Sequence, residues 1–302
     1  MNTAVEICGV KLKNPVTVAS GTFGFGREIN EFFPIKELGA VAVKGLTLEK
    51  RLGNVSPRIC ETPSGIMNSV GLQNPGIETF LREELPFLKA EGVPVIANIN
   101  GSCIEDYVRI AGIAAKSDVD FIELNISCPN VRCGGAAFGQ DEKTVEKITR
   151  EVKAECGEKP LIVKLSPNVT DIRVMALAAE KNGADALSLI NTVMGMKIDL
   201  KTKKPFFENK VAGLSGAAVH PIAVRMVYQV RTVTSLPIIG MGGIMCAEDA
   251  IELMMAGANA VAVGTATLIN PYAARDIKNE LARYMFDNGI SDIAEIICAA
   301  HK

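Results

Sequence analysis

A cysteine stands between two asparagines at the end of an apolar run in the stretch ELNISCPNVRCGGAAFGQD, residues 123–141. Cys128 directly precedes a proline and a glycine-rich segment, and Asn125 and Asn130 lie on either side of it. A thiol at the exit of a strand, next to amide side chains, could act as a nucleophile or as a general base. A buried structural thiol is the alternative, and Cys133 competes for the chemical role. Cys128 is the stronger candidate of the two, because Cys133 lies in the loop and not at the end of the strand.

Two lysines lie inside apolar runs, where a charged side chain is unexpected. Lys44 belongs to VAVKGL and Lys164 belongs to LIVKLS. Lysine is almost never fully buried without a partner, so each side chain either reaches the rim of the protein or faces a bound group. Asn98, Asn191 and Thr192 lie near the ends of similar runs. Together these residues predict a shared anionic or electron-rich ligand.

Two glycine-rich turns, GMGGI at 240–244 and AVGTA at 262–266, end the last two apolar runs of the chain. Glycines let backbone N–H groups approach an anion closely, and a helix that follows adds its positive end. Small residues also suit tight turns between a strand and a helix. Because the two turns occur on consecutive runs, they favour a phosphate-binding site.

Short apolar runs alternate with helix-like segments along the whole chain. This alternation predicts an α/β fold with a parallel sheet, and eight strands are the number of a closed (β/α)8 TIM barrel. A doubly wound sheet is the alternative, but its glycine-rich turn would follow the first strand. The predicted strands are 15–20, 40–46, 94–100, 120–128, 160–167, 186–191, 237–243 and 260–266, and the predicted helices are 76–90, 104–117, 141–156, 171–183, 217–234 and 247–257.

Two connections are too long to be simple barrel loops. Residues 47–75 follow the second predicted strand, and residues 192–215 follow the sixth. Both leave the carboxyl ends of strands, where barrel active sites lie, so we expect long active-site insertions that form a cap and a lid. No linker interrupts the pattern, and we expect residues 1–302 to form one domain.

Composition limits the classes of function. Hydrophobic residues make up 48%, the formal net charge is −2, and nothing suggests a nucleic-acid partner. The eight cysteines have no CxxC pair, which indicates reduced thiols in the cytoplasm rather than disulfides or a metal site. No signal peptide or long apolar segment is apparent, so we expect no membrane association. His220 and His301 are the only histidines, and neither is an obvious base.

A set of characteristic segments is spread along the chain: KNPVTVASGTFGFG, VKGLT, NSVGLQNPG, NISCPNV, VKLSPN, INT, GLSGAAVHPIA, GMGGI and VGTA. Together these segments resemble the class 1 dihydroorotate dehydrogenases, which are FMN-dependent (β/α)8 barrels of pyrimidine biosynthesis. The resemblance covers essentially the whole chain, and GLSG favours the class 1B branch.

The resemblance implies two sets of binding residues and a role for the thiol. Cys128 would be the base that removes a proton from C5 of dihydroorotate while a hydride passes from C6 to FMN. The FMN set is Ser20, Lys44, Asn98, Asn125, Lys164, Ile190, Gly216, Gly242, Gly243, Gly264 and Thr265. The dihydroorotate set is Lys44, Asn68, Ser69, Val70, Gly71, Leu72, Asn125, Asn191 and Thr192.

The class 1B resemblance also implies a partner. An electron-transfer subunit with FAD and a 2Fe–2S cluster would pass the electrons to NAD, around a homodimeric core of a heterotetramer. Alternatives are a class 1A enzyme that uses fumarate, a dihydropyrimidine dehydrogenase module, a dihydrouridine synthase and a non-enzymatic phosphate-binding barrel. The sequence pI of 5.9 argues against an RNA substrate.

Overall fold

The structure is a computed structural model that describes residues 1–127 and 138–302. Across these residues the strands are, in chain order, β1 Val5–Ile7, β2 Val10–Leu12, β3 Val16–Val18, β4 Ala40–Ala42, β5 Ile59–Thr62, β6 Gly65–Asn68, β7 Val95–Ile99, β8 Phe121–Asn125, β9 Leu161–Lys164, β10 Ala186–Leu189, β11 Val193–Met196, β12 Ile198–Asp199, β13 Lys204–Pro205, β14 Val211–Ser215, β15 Ile238–Met241 and β16 Ala260–Val263.

The α-helices of the same residues are α1 Arg27–Asn30, α2 Ile77–Thr79, α3 Leu85–Ala90, α4 Ile104–Ala115, α5 Glu142–Glu155, α6 Ile172–Lys181, α7 His220–Arg231, α8 Ala247–Met255, α9 Ala266–Ile269 and α10 Ala273–Asp287. A π-helical turn, Phe80–Glu84, joins α2 to α3. Short 3-10 turns cover Ile35–Glu37, Phe138–Gln140, Ala217–Val219, Ile293–Glu295 and Ala299–His301.

Eight of these strands form a closed barrel in the order β10-β15-β16-β3-β4-β7-β8-β9. Every neighbouring pair around the barrel is parallel. Parallel strands need a crossover between them, and helices supply most of these crossovers here. The (β/α)8 barrel expected from the sequence is confirmed.

The helices bury one stripe each against the outside of the barrel. In α4, for example, Tyr107, Ile110, Ala111 and Ala114 recur at helical spacing and are fully buried. A second, smaller core fills the inside of the barrel. Its base is closed by the antiparallel hairpin of β1 and β2, whose Ile7 and Leu12 pack among inward-facing side chains of the barrel strands. The opposite end is left for a site.

The two long insertions pair with each other. Strands β5 and β6 come from the first insertion, β11 and β14 come from the second, and together they form an antiparallel sheet in the order β11-β14-β6-β5. We call these four strands the cap sheet. They follow the carboxyl ends of β4 and β10, so the cap sheet lies over the mouth of the barrel. Within the described ranges, no helix combines the length and the apolar character needed to cross a membrane.

Candidate active site

A cavity of about 250 Å³ lies between the carboxyl ends of the barrel strands and the cap sheet. The carboxyl ends of the barrel strands form the floor of the cavity. Alternate side chains along each strand point into the barrel, and the last of them on each strand lie at the mouth. The cap sheet contributes Ile59, Ile66 and Asn68 from one insertion and Gly213 and Ser215 from the other. Both insertions predicted to be active-site loops therefore reach the cavity.

The residues predicted to contact FMN converge on this cavity from the ends of all eight barrel strands. Gly216 does not line it, but a Cβ on Gly216 would lie 3.5 Å from Cγ2 of Thr265, so it is immediately behind the wall. The predicted residues that line the cavity are Ser20, Lys44, Asn98, Asn125, Lys164, Ile190, Gly242, Gly243, Gly264 and Thr265.

Most of the residues predicted to hold dihydroorotate line the same cavity. Ser69 is the exception, because its buried hydroxyl is engaged by the side-chain amides of Asn54 and Asn209, each 3.2 Å away. It supports the loop and does not line the cavity. The lining residues of this set are Lys44, Asn68, Val70, Gly71, Leu72, Asn125, Asn191 and Thr192.

Cys128 and Cys133 lie outside the described residues, so the role of Cys128 stays a prediction. The chain can be followed to Ser127, whose hydroxyl donates to Asn125 Oδ1 at 2.7 Å and accepts a hydrogen bond from the amide of Asn191. The exit of β8 is thus tied to two residues of the cavity wall. Cys128 is the next residue along the chain.

The remaining thiols are placed elsewhere. Of the cysteines that the structure describes, none lines the cavity. Burial raises the pKa of the thiols of Cys8 and Cys246 to about 11 and that of Cys156 to about 12. A thiol with a raised pKa keeps its proton at neutral pH and is a poor base or nucleophile. These three cysteines behave as structural thiols.

Lys164 is the most informative charge of the site. Only 3% of its surface is exposed, and the acceptor that the described residues offer its ammonium is Ser20 Oγ at 3.3 Å. An ammonium has three N–H donors, and a buried one needs partners for them. Lys44 lies at the same level, with Nζ 3.5 Å from the position that a Cβ on Gly21 would take. The cavity suits a ligand with oxygen atoms or negative charge.

The glycine turn after β15 is shaped by the start of α7. Gly242 and Gly243 have φ angles of 130° and 71°, which favour glycine. His220 Nδ1 donates to the carbonyl oxygen of Gly242 at 2.9 Å, and a Cβ on Gly243 would lie 2.7 Å from the Cβ of His220. The imidazole therefore holds the outer side of the turn, while the turn itself lines the cavity.

The turn after β16, formed by Gly264 and Thr265, follows the strand that pairs with β15, and we call this turn and the turn at Gly242 and Gly243 the glycine cradle. Gly264 has room around it, because a Cβ there would meet only Ala19 Cβ at 3.5 Å. Thr265 follows, with its hydroxyl 2.8 Å from Ser215 Oγ of the cap sheet, and the short helix α9 begins at Ala266. Glycine turns after the last two strands and a short extra helix are the usual phosphate site of such barrels.

Several residues of the site give no distinct signal in the sequence. Gly45, Ser127 and Ser215 are small residues within VKGLT, NISCPNV and GLSG, and nothing in their types marks them. Glu123 lies five residues before Cys128 and is 2% exposed. Its charge inside an apolar run is the same signal that identified the lysines, and it marks an interior position.

The fold and the cavity define the class: a (β/α)8 barrel with a cavity at the carboxyl ends of its strands and glycine turns after the last two. The model of the dihydroorotate dehydrogenase family matches residues 2–285. The chain belongs to the dihydroorotate dehydrogenase family.

Close relatives have the same length. A protein of Caldicellulosiruptor bescii is 54% identical over 299 residues, which cover 98% of both chains. Proteins of Thermoanaerobacter pseudethanolicus and Alkaliphilus metalliredigens are 53% and 52% identical, again over 98% of both chains. All three are named dihydroorotate dehydrogenase B (NAD(+)), catalytic subunit. For those relatives, the words "catalytic subunit" imply a second subunit.

Proposed function

We propose that this chain oxidises dihydroorotate to orotate in the biosynthesis of pyrimidine nucleotides, with one bound FMN as its cofactor. The observation that carries the proposal is the convergence of both predicted residue sets on one cavity, beneath a cap made by the two insertions. The NAD-linked relatives at 52–54% identity support the same reaction and do not favour a fumarate-dependent enzyme or a dihydropyrimidine dehydrogenase module.

The residues present fit FMN. The space around Gly264 and the turn at Gly242 and Gly243 can receive a phosphate through backbone N–H groups. The under-partnered ammonium of Lys164 suits the electron-rich edge of a flavin ring. When bound, FMN supplies the acceptor for a hydride. Ser20, Lys44, Asn98, Asn125, Ile190, Gly216 and Thr265 would complete its site.

The chain's own residues would hold the substrate and move one proton. Asn68, Asn191 and Thr192, together with Val70 to Leu72, would bind dihydroorotate under the cap sheet, because amides match the N–H and C=O edges of a pyrimidine. Cys128 Sγ would accept the proton from C5. The carboxylate of the substrate would lie within reach of Lys44.

The electrons would leave through a partner subunit. We infer that this subunit carries FAD and a 2Fe–2S cluster, that NAD is the final acceptor, and that two copies of this chain form the core of a heterotetramer. The word "catalytic" in the relatives' names supports a second subunit. Within the described residues, no group of His, Cys, Asp or Glu could hold a metal ion. We further infer that the 302 residues form one domain and that the protein works in the cytoplasm.

A substrate comparison tests the proposal. The FMN-loaded chain is mixed anaerobically with dihydroorotate or with dihydrouracil, which lacks the carboxylate. We expect dihydroorotate to bleach the flavin and dihydrouracil to leave it yellow, because the cationic floor selects a carboxylate. Bleaching by dihydrouracil alone would assign the chain to a different pyrimidine reductase reaction.

A further inference from the structure

A buried glutamate lies directly beneath the site and has no place in the reaction proposed above. Glu123 belongs to β8, between Phe121, which packs in the barrel interior, and Asn125, which lines the cavity. Side chains alternate along a strand, so these three residues point inward together. Glu123 is only 2% exposed and does not line the cavity.

Both carboxylate oxygens of Glu123 accept hydrogen bonds across the barrel interior, one from the neighbouring strand β7 and one from β10, two strands away. Asn98 Nδ2 on β7 donates to Oε2, and Ser188 Oγ on β10 donates to Oε1 at 2.7 Å. Oε2 is the acceptor in its contact with Asn98, so the amide of Asn98 presents its nitrogen to Glu123. The reverse orientation would bring two acceptors together in a fully buried place, which is costly.

The orientation of Asn98 then fixes that of its neighbours. Asn98 Oδ1 accepts from Asn100 Nδ2 at 2.8 Å and from Asn125 Nδ2 at 3.4 Å. Asn125 must therefore turn its own oxygen away, where it accepts from the backbone N–H of Ser127 at 3.3 Å and from the Ser127 hydroxyl at 2.7 Å. One acid beneath the cavity thus sets the direction of each hydrogen bond in this series of amides.

The consequence is a cavity wall made of donors. A carbonyl oxygen has two lone pairs, and those of Asn98 and Asn125 are each used twice inside the protein. The Nδ2 group of each amide has two hydrogens, and one of them is used within the protein. The second N–H is therefore the group that each amide can offer to a ligand in the cavity. With the ammonium groups of Lys44 and Lys164 nearby, the wall favours carbonyl oxygens and rejects amino groups.

We propose that Glu123 is a positioning residue that makes this site selective for ring carbonyl oxygens over ring amino groups. The inference rests on the proposed function, because it takes orotate and its flavin partner as the ligands. It assigns specificity to a residue that touches neither of them. Glu123→Gln is the sharpest change, because glutamine keeps the shape but can donate as well as accept.

The test compares binding rather than turnover. Orotate and two analogues, each with one ring carbonyl replaced by an amino group, are titrated into FMN-loaded wild type and E123Q, and dissociation constants are read from the flavin absorbance. We expect wild type to bind orotate about 10- to 100-fold more tightly than the analogues. In an analogue complex, the amino group of the ligand would face one or two N–H donors of the cavity wall, and those donors would have no acceptor. We expect this preference to fall about tenfold in E123Q, since the amides can then turn.

Ser188→Ala is the matched control, because it removes the other partner of Glu123 and leaves the Asn98 link intact. It should keep the wild-type preference. Asn98→Ala removes the next residue in the series of hydrogen bonds and should also lose the preference for orotate. This variant provides the test if E123Q does not fold. An unchanged preference in E123Q or in N98A would overturn the inference and leave the proposed function standing. Failure of wild type to bind orotate would instead defeat the proposed function.

Discussion

At the scale of single residues, the described cysteines and His220 have structural surroundings. Partial burial raises the pKa of the thiols of Cys8 and Cys246, full burial raises that of Cys156, and none of the three lines the cavity. His220 is committed to a backbone carbonyl and to Glu252, 3.0 Å from Nε2. The thiol that the sequence predicts as the base, Cys128, follows Ser127 in the chain, and its role stays a prediction.

We predict that Cys128→Ala slows reduction of the bound flavin by dihydroorotate about 100- to 10,000-fold, the usual contribution of a general base. Cys128→Ser should retain a trace of the rate, because a hydroxyl is a much weaker base. Stopped-flow bleaching of the flavin gives the rate, and orotate binding checks that the site is intact. Cys133→Ala is the matched control and should react at the wild-type rate. Equal loss in both variants would contradict the assignment.

The sequence predicted the lysines of the site more readily than Glu123 or Ser127. Lys44 and Lys164 stand out because a lysine within an apolar run must either reach solvent or pair with another group. Glu123 offers the same anomaly, but its partners, Asn98 and Ser188, lie on other strands, 25 and 65 residues away. The direction in which an amide points depends on such partners and cannot be read from the order of residues.

At the scale of elements, the two glycine turns have different constraints although they look equivalent in the sequence. Gly243 has φ 71°, and any side chain there would press on the start of α7. Gly264 has no such conflict, and its free space belongs to the cavity. A bulky residue at Gly264 therefore tests ligand binding, whereas one at Gly243 tests the fold.

We predict that Gly264→Val folds normally but binds FMN about 10- to 100-fold more weakly, because overpacking costs about 1–3 kcal/mol. Fluorescence titration of FMN into the apoprotein measures the affinity, and thermal unfolding measures stability. Gly243→Val should instead lower the unfolding temperature even without FMN, since its backbone conformation disfavours valine. If G264V bound FMN with wild-type affinity, the phosphate of FMN would not lie at this turn.

The imidazole behind the glycine cradle gives a second prediction at this scale. His220→Asn should keep FMN affinity within about twofold, because the amide nitrogen can replace Nδ1 as donor to Gly242. His220→Leu should weaken FMN binding about tenfold, the effect of one lost buried hydrogen bond. The comparison uses the same titration. If both variants lose affinity equally, His220 acts through its charge or packing and not through this bond.

At the scale of the whole molecule, the barrel brings together parts that are remote in the chain. All eight predicted barrel strands are present, each at or within its predicted bounds, because alternation of apolar runs and helices is a local signal. The cap sheet was missed as a sheet: Asn68 and Gly213, paired across it, are 145 residues apart. Their pairing depends on the barrel, which holds β4 and β10 where both insertions leave toward the same mouth.

In the proposed reaction, the electrons taken from dihydroorotate must also leave this chain. We propose that dihydroorotate is oxidised on this chain and that NAD is reduced on a partner subunit. We therefore expect a fixed ratio of orotate to reduced flavin and a requirement for the second subunit, and a single anaerobic experiment can measure both.

The FMN-loaded chain is mixed without oxygen with one equivalent of dihydroorotate, and orotate, flavin absorbance and NADH absorbance are followed before and after NAD is added, first alone and then with the FAD and iron–sulfur subunit. We predict one orotate formed per flavin bleached, no NADH from the chain with NAD alone, and rapid NADH formation once the partner is present. Absence of orotate would contradict the oxidation assigned to this cavity, and rapid NADH formation by the chain alone would contradict the division of work between two subunits.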